Sequence, residues 1–140
     1  MPRVERTLAI LKPDSVASGK SGVILARLED EGFVVRGLKR VQLTEDQARA
    51  FYEVHRERPF FEGLVRFMTE GPVVVVALER EDAVGHLRRT MGATDSRKAE
   101  PGTLRSAHGT DIERNAIHGS DSPENAAREV AFFFSEAELV

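Results

Sequence analysis

Four histidines are the side chains best suited to act as nucleophiles near neutral pH in this sequence, which contains no cysteine. His55 and His86 lie in helical patterns, where a partly exposed surface histidine is the ordinary interpretation. His118 differs, because it follows a glycine-rich stretch and precedes Gly119 in the segment 115–122. A small neighbour lets a phosphate approach the imidazole, and one ring nitrogen attacks while a partner holds the other. On these residues alone, a nucleophile and a loop histidine bonded to backbone are equally good interpretations of His118.

A P-loop is the first phosphate chemistry to test, because Gly19-Lys20-Ser21 has the ending of that motif. The motif also requires glycine five residues before Gly19, where this sequence has Asp14. A carboxylate there repels phosphates, so the segment is interpreted as a turn and a helix cap. The sequence also lacks a dinucleotide fingerprint and any pair of histidines at metal-ligand spacing on a helix. It therefore predicts no metal site built by the protein alone.

A nucleotide site needs cations for the phosphates and an aromatic face for the base. The segment 86–118 contains six basic and four acidic side chains, which on its own is the pattern of a mixed-charge surface. Pro59 is followed by Phe60 and Phe61, and helical spacing places at most one of these two rings in the core. The other is then free to stack on a base, which is insensitive to base identity because every base has a π-face. Taken alone, these two residues fit burial of both rings somewhat better.

Length and composition limit the class of protein. The chain has 140 residues with a net charge of −3, which indicates a single domain over 1–140 and argues against a protein that coats nucleic acid. The start of the sequence has no apolar stretch typical of a signal peptide. The longest apolar run, Val73 to Leu78, is far shorter than the roughly 20 residues that span a bilayer. A cytoplasmic protein is expected.

Hydrophobic periodicity predicts alternating strands and helices. Thr7–Leu11 is a short apolar run stopped by Pro13, so Lys12 lies at the end of a strand. Alternation predicts a second strand over 33–43, and the β-branched run 73–78 predicts a central strand buried on both sides. Three consecutive phenylalanines at 132–134 predict a final strand.

Capping signals predict the helices between these strands. Ser21 is expected to cap a helix ending at Gly32, and Thr44 and Gln47 have the spacing of a capping box. Further helices are expected from Pro59, from Asp82 to Gly92, and after the cap at Ser122. A long loop with one helical turn is expected over 93–119. This order suggests an α+β sandwich with one four-stranded sheet.

Several separate motifs occur together in one order along the chain. They are Glu5-Arg6-Thr7-Leu8, Lys12-Pro13-Asp14, Arg58-Pro59-Phe60-Phe61, Gly71-Pro72-Val73, Met91-Gly92-Ala93-Thr94, Pro101-Gly102-Thr103-Leu104-Arg105 and the run from Asn115 to Ser122. Through them the chain closely resembles the nucleoside diphosphate kinases over nearly its whole length. The most specific is Asn-x-x-His-Gly-Ser-Asp-Ser, the family's active-site signature.

The resemblance implies a ferredoxin-like sandwich with a four-stranded antiparallel sheet, and a ping-pong reaction. In that reaction His118 takes the γ-phosphoryl of ATP or another nucleoside triphosphate and passes it to a diphosphate, with little base preference. Glu129 would orient the histidine ring, with Ser120 beside it, and Tyr52 would reach toward the γ-phosphate. The remaining implied contacts are to phosphate (Arg88, Thr94, Arg105), to phosphate and sugar (Lys12), to ribose (Asn115) and to the base (Phe60).

The resemblance also implies that Mg²⁺ arrives with the nucleotide phosphates, with Asp121 a candidate contact through water. It implies a homo-oligomer, a hexamer or tetramer built from dimers. Three residues depart from the family's usual pattern: Ser15, Ser96 and His108. A nucleotide sensor without turnover and a histidine phosphorelay module are the rival interpretations. The sensor leaves His118 and Glu129 without a task, and the predicted strands argue against the helical bundle of a relay module.

Overall fold

The computed structural model describes residues 4–140, in which a four-stranded antiparallel sheet has the strand order β2-β3-β1-β4. The strands are β1 (Val4–Leu11), β2 (Val34–Val41), β3 (Val73–Glu81) and β4 (Ile117–Gly119). The helices are α1 (Pro13–Ala17), α2 (Ser21–Asp30), α3 (Glu45–Phe51), α4 (Phe61–Met68), α5 (Ala83–Met91), α6 (Leu104–His108) and α7 (Pro123–Phe133). Short 3₁₀ turns occur at Glu53–His55, Ser96–Lys98 and Glu136–Glu138. The predicted ferredoxin-like α+β fold is confirmed.

Both faces of the sheet are covered, because side chains of β1 and β3 alternate between two hydrophobic clusters. Leu8 and Ile10 pack with α3, α4 and α7 on one face, while Ala9 and Leu11 pack with α2, α5 and α6 on the other. The run 73–78 divides in the same way and is buried throughout. The prediction of a central strand buried on both sides is therefore confirmed.

The predicted position of the fourth strand is wrong. Phe132 and Phe133 end helix α7, and the fourth strand is instead β4, which pairs antiparallel with β1. Aromatic residues favour strands, but Ala126, Val130 and Phe134 are buried at a spacing of four residues, which is helical. That periodicity outweighed the local preference of the phenylalanines. His118 thus lies in a strand rather than in a loop.

The capping predictions are mostly confirmed. The Thr44–Gln47 capping box forms at the start of α3, and the Ser122 hydroxyl accepts the Asn125 N–H at the start of α7. Ser21, however, is the first residue of α2 rather than its cap, and α4 begins at Phe61 rather than at Pro59. Gly32 follows α2 with a φ of +89°, a conformation that glycine adopts without steric cost.

The segment 93–119, predicted as a long loop with one helical turn, contains the short helix α6, a 3₁₀ turn at Ser96–Lys98 and, contrary to the prediction, the strand β4. It passes over the carboxyl end of β1 and returns along the edge of that strand. No helix within residues 4–140 has the length and apolar character needed to cross a membrane.

Candidate active site

A cavity of about 420 Å³ opens between the α3–α4 hairpin, the segment joining α5 to β4, and the start of α7. Nine of the ten site residues predicted from the sequence line it: Lys12, Tyr52, Phe60, Arg88, Thr94, Arg105, Asn115, His118 and Glu129. The tenth, Ser120, is buried behind it. Side chains from distant parts of the chain therefore meet at one place.

His118 lies in β4 directly opposite Ile10 of β1, with its ring on the sheet face that carries α3, α4 and α7. Its side chain is 18% exposed, and its Nε2 lies 2.7 Å from Oε1 of Glu129. An ionised carboxylate can only accept a hydrogen bond, so Nε2 is the nitrogen that carries the hydrogen. This tautomer leaves Nδ1 with a free lone pair, which is the requirement for a nucleophile.

Glu129 is held in turn by a buried hydroxyl. The Ser120 Oγ donates to the same Oε1 over 2.9 Å, and it accepts the backbone N–H of Leu8 over 3.3 Å. Glu129 is 5% exposed and Ser120 is fully buried. Because these groups are packed and bonded on both sides, the carboxylate is fixed before any ligand enters.

Two of the predicted phosphate-binding cations are buried. Lys12 is 6% exposed, and its Nζ donates to Oδ1 of Asn115 over 2.7 Å. Burial, reinforced by the charge of Arg105, lowers the pKa of Lys12 to about 8. Arg105 is 5% exposed and donates to the carbonyl oxygens of Gly92 and Ile117. Burial and the charge of Arg88 lower the pKa of Arg105 to about 10.

The cavity is electrostatically prepared for an anion. Lys12, Arg88 and Arg105 have no carboxylate within ion-pair distance among residues 4–140. Arg88 is exposed at the end of α5, and Thr94 is exposed beside it in the loop. Cations that lack a carboxylate partner in a concave site favour a negatively charged ligand.

Tyr52 presents a hydroxyl that nothing in residues 4–140 satisfies. The side chain is 4% exposed, and its ring centroid lies 5.9 Å from that of His118. Burial and the nearby charge of Glu129 raise the pKa of the tyrosine, so it remains a neutral donor. A buried donor without a partner is costly, which makes this hydroxyl a candidate ligand contact.

The structure distinguishes the two aromatic candidates for base stacking. Phe61 is 4% exposed and belongs to the core, whereas Phe60 is 51% exposed at the N-cap of α4. The Phe60 ring lines the cavity mouth, 5.4 Å from the ring of His55. Phe60 is thus the phenylalanine that remains available to a base.

Sequence reasoning missed several residues of the site. Phe51 packs its ring 5.4 Å from His118, and exposed Ile112 faces the cavity from the loop. His55 and Arg128 also line it. Phe51 lies in the helix predicted after the Thr44–Gln47 capping box, and no spacing signal in the sequence relates it or Ile112 to His118.

The cavity has one exposed carboxylate at its rim but, in the described part of the chain, no set of side chains that could enclose a metal ion. Residues 4–140 contain no group of three or more histidine or carboxylate side chains that could enclose a cation. Asp121 is exposed at the cavity rim, where its Oδ1 accepts a hydrogen bond from Asn125. An exposed carboxylate at the rim of a cavity that also contains Lys12, Arg88 and Arg105 fits an ion held mainly by ligand oxygens, as Mg²⁺ commonly is.

A larger groove of about 680 Å³ lies between the start of β1 and the second half of α7. Its Arg6 pairs with both Glu79 and Glu136. Because these charges compensate one another, the groove offers a phosphate less attraction than the cavity at His118.

Comparisons with known proteins agree with this geometry. The sequence model described as nucleoside diphosphate kinase matches residues 5–139. A nucleoside diphosphate kinase of Acidiphilium cryptum is 56% identical over 136 residues, which is 97% of this chain and 97% of that protein. One from Nitratiruptor is 53% identical over 137 residues, which is 98% of this chain and all of that protein.

Solved structures of similar proteins have the same fold. A nucleoside diphosphate kinase of Aquifex aeolicus superposes with a TM-score of 0.96 and 51% identity, covering 99% of this chain and 100% of that one. A halophilic nucleoside diphosphate kinase of Halobacterium salinarum, solved in complex with CDP, gives a TM-score of 0.94 and 44% identity. That match covers 99% of this chain and 92% of the halophilic one.

Proposed function

The chain belongs to the nucleoside diphosphate kinase family, and we propose that it transfers the γ-phosphoryl group between nucleotides through a covalent intermediate on Nδ1 of His118. The observation that carries the proposal is the contact between His118 and Glu129 in a cavity lined by cations. It supplies both a nucleophile in the required tautomer and the positive charge that a polyphosphate needs.

In the first half-reaction, Nδ1 attacks the γ-phosphorus and a P–N bond forms as the bond to the β,γ-bridging oxygen breaks. The nucleoside diphosphate leaves, and the hydrogen on Nε2 stays between the ring and Glu129. In the second half-reaction, a terminal oxygen of another diphosphate attacks the phosphohistidine and the P–N bond breaks. No proton has to leave the imidazole in either direction, so Glu129 acts by holding the ring and stabilising its positive charge.

The cations and the tyrosine have separate tasks in this proposal. Lys12, Arg88 and Arg105, with Thr94, hold the phosphates and stabilise charge on the oxygens of the group in transfer. The free hydroxyl of Tyr52 donates to the γ-phosphate, and Asn115 joins Lys12 at the ribose. Phe60 stacks on the base without reading its edges, which supports transfer with little base preference.

Mg²⁺ is proposed as the cofactor. When bound, it would neutralise phosphate charge, with Asp121 as the protein side chain placed to contact it through water. Residues 4–140 contain no group of three or more histidine or carboxylate side chains that could enclose the ion, which supports an ion that enters with the nucleotide.

We further propose that the chain forms one domain over its 140 residues and works in the cytoplasm as a homo-oligomer, a hexamer or tetramer built from dimers. Val34 and Leu38 support assembly, because both are 48% exposed on the edge strand β2. Exposed apolar side chains on an unpaired edge favour a partner. Light scattering of the purified protein distinguishes the two sizes.

The function is tested by mixing the protein with γ-labelled ATP and then with an unlabelled diphosphate such as dGDP. The expected result is an acid-labile phosphoenzyme that disappears as labelled dGTP forms. His118→Asn should abolish both signals while ADP still binds, because the cations and Phe60 are untouched. Nucleotide binding by the unaltered protein without a phosphoenzyme would instead favour the sensor.

A further inference from the structure

Asn115 lies two residues before β4, and His118 lies within that strand. Side chains an odd number of residues apart on a strand point to opposite faces of the sheet. Both of these side chains nevertheless line the same cavity. The backbone between them therefore departs from regular strand geometry.

The departure occurs at Ala116, which has a φ of 75° although it is not glycine. The N–H of Ile117 donates to the carbonyl of Asn115 over 2.9 Å, so the three residues form a γ-turn. A γ-turn with positive φ at its centre is rare and strained, and the methyl group of alanine adds to that strain. Such a conformation persists only where its surroundings hold it.

Residues more than 100 positions earlier hold it from both sides. The Oδ2 of Asp14 accepts the N–H of Ala116 over 3.1 Å, and the Ser15 Oγ donates to its carbonyl over 2.9 Å. The backbone N–H of Lys12 donates to that same carbonyl over 2.9 Å. Ala116 is fully buried and Ser15 is 1% exposed, so water does not compete for these bonds. Desolvation raises the pKa of Asp14, while its hydrogen bond to Ala116 opposes that rise.

We propose that Asp14 and Ser15 form a backbone clamp on Ala116 that positions His118 against the phosphates held by Lys12. The proposal rests on the phosphotransferase function argued above. Neither side chain lines the cavity, so both are positioning residues that act through the turn. The clamp also connects Lys12, at the end of β1, to His118, at the start of β4, within one small hydrogen-bonded unit.

The test measures two quantities in the full-length protein: the rate of phosphoenzyme formation at saturating ATP, and the dissociation constant of ADP. Because small misplacements of a reacting group are costly, Asp14→Ala should slow phosphoenzyme formation roughly 10- to 100-fold and weaken ADP binding less than about threefold. A purely structural role would instead lower the folded fraction without changing the rate of the protein that remains folded.

A second substitution that relieves the strain at Ala116 should restore the rate lost in Asp14→Ala. Glycine adopts positive φ without the clash of a Cβ atom, so Ala116→Gly in the Asp14→Ala background should restore most of the lost rate. Unaltered activity in Asp14→Ala would overturn the clamp. So would a double variant that regains thermal stability but not the rate.

Two serines of α1 and its cap provide a matched control. Ser15→Ala removes the bond to Ala116, whereas Ser18→Ala removes a hydroxyl that bonds only to carbonyls of Asp14 and Ser15. Ser15→Ala should slow phosphoenzyme formation about threefold or more relative to Ser18→Ala. If Asp14→Ala is insoluble, the comparison of Ser15→Ala with Ser18→Ala tests the proposal instead. Equal rates of phosphoenzyme formation in these two variants would reject it. Failure of the proposed function is distinguishable, because the unaltered protein would then form no phosphoenzyme.

Discussion

His118 and Glu129 face each other across 2.7 Å between Nε2 and Oε1, and the same carboxylate oxygen accepts the Ser120 hydroxyl. Hydrogen bonds to charged groups contribute about 1.5–3 kcal/mol. Glu129→Gln should therefore slow phosphoenzyme formation roughly 10- to 100-fold, because an uncharged amide stabilises the developing positive ring less well. Rapid mixing with γ-labelled ATP, followed by quenching in base, in which the acid-labile phosphohistidine survives, measures this rate.

Ser120→Ala is the matched control for that prediction. It removes the hydroxyl but leaves the carboxylate and its contact with His118, so its rate should lie between those of the unaltered protein and Glu129→Gln. ADP affinity should be nearly unchanged in both variants. A Glu129→Gln protein with full rate would show that the ring needs no anionic partner.

Most of the site was predictable because it depends on residue types at short spacing. The motif around His118, the end of β1 at Lys12 and the aromatic pair at Phe60 each occupy a few consecutive positions. The family and the fold inferred from them are confirmed. The buried part of β3 was also predictable, because six apolar, mostly β-branched residues in succession are typical of a strand buried on both faces.

The features that escaped prediction depend on long-range contacts. Strand β4 has only three residues, and it exists because the edge of β1 offers backbone groups more than 100 positions away in the chain. No local pattern predicts such a strand, whereas the three phenylalanines at 132–134 predicted a strand that does not form. The sequence does not predict the positive φ of Ala116 either, because Asp14 and Ser15 maintain it rather than its own sequence neighbours.

Proton uptake should accompany nucleotide binding above pH 8. The pKa of Lys12 is lowered to about 8 by burial, and a bound polyphosphate favours the charged ammonium and so raises that pKa. At pH 8.5 the phosphates are already fully ionised, since their last pKa lies near 6. Calorimetric titration with ADP in two buffers of different ionisation enthalpy should show uptake at pH 8.5 and little at pH 6.5. In Lys12→Met the apparent binding enthalpy should be the same in both buffers. Proton uptake as large as that of the unaltered protein would instead assign the proton to another group.

Lys12 should also destabilise the free protein. Its folded pKa of about 8 lies below the ordinary value of 10.5, so the unfolded state binds more protons between these limits and stability from this group rises with pH. The cost of burying the ammonium is fully present below pH 8 and amounts to about 3 kcal/mol. Replacing Lys12 by an uncharged residue would remove this cost but would also remove the hydrogen bond to Asn115. A buried acceptor without a partner costs about 1–3 kcal/mol, which offsets part of the gain.

Lys12→Met should therefore raise the melting temperature at pH 7 by a few degrees, and by less at pH 10. Differential scanning calorimetry at both pH values checks this, with exposed Lys98→Met as the control that should change neither. A lower melting temperature for Lys12→Met at pH 7 would mean that the contact with Asn115 outweighs the cost of burial.

Removal of the exposed Phe60 ring at the cavity mouth should weaken the binding of all nucleotides to a similar extent. Stacking of a base on an aromatic side chain contributes about 1–3 kcal/mol, so Phe60→Ala should raise the dissociation constants of ADP, GDP and CDP roughly 5- to 100-fold. The first-order rate at saturating ATP should change much less, because the rings packed against His118 are those of Phe51 and Tyr52 rather than that of Phe60. Val54→Ala, at another exposed apolar position of the same cavity, is the control. A loss confined to one base would indicate readout of its edge rather than stacking.

Ser96 should be replaceable with a gain in stability. It is 7% exposed at the start of a 3₁₀ turn, and its Oγ has no hydrogen-bond partner among residues 4–140. A buried hydroxyl without a partner costs about 1–3 kcal/mol, whereas the space left by one oxygen atom is small. Ser96→Ala should therefore raise the melting temperature by about 2–4 °C per kcal/mol gained. Exposed Ser106→Ala, in the nearby helix α6, should leave the melting temperature unchanged. If Ser96→Ala melts earlier than the unaltered protein, the hydroxyl has a partner outside the single chain, and the loss should then depend on protein concentration because the partner is another subunit.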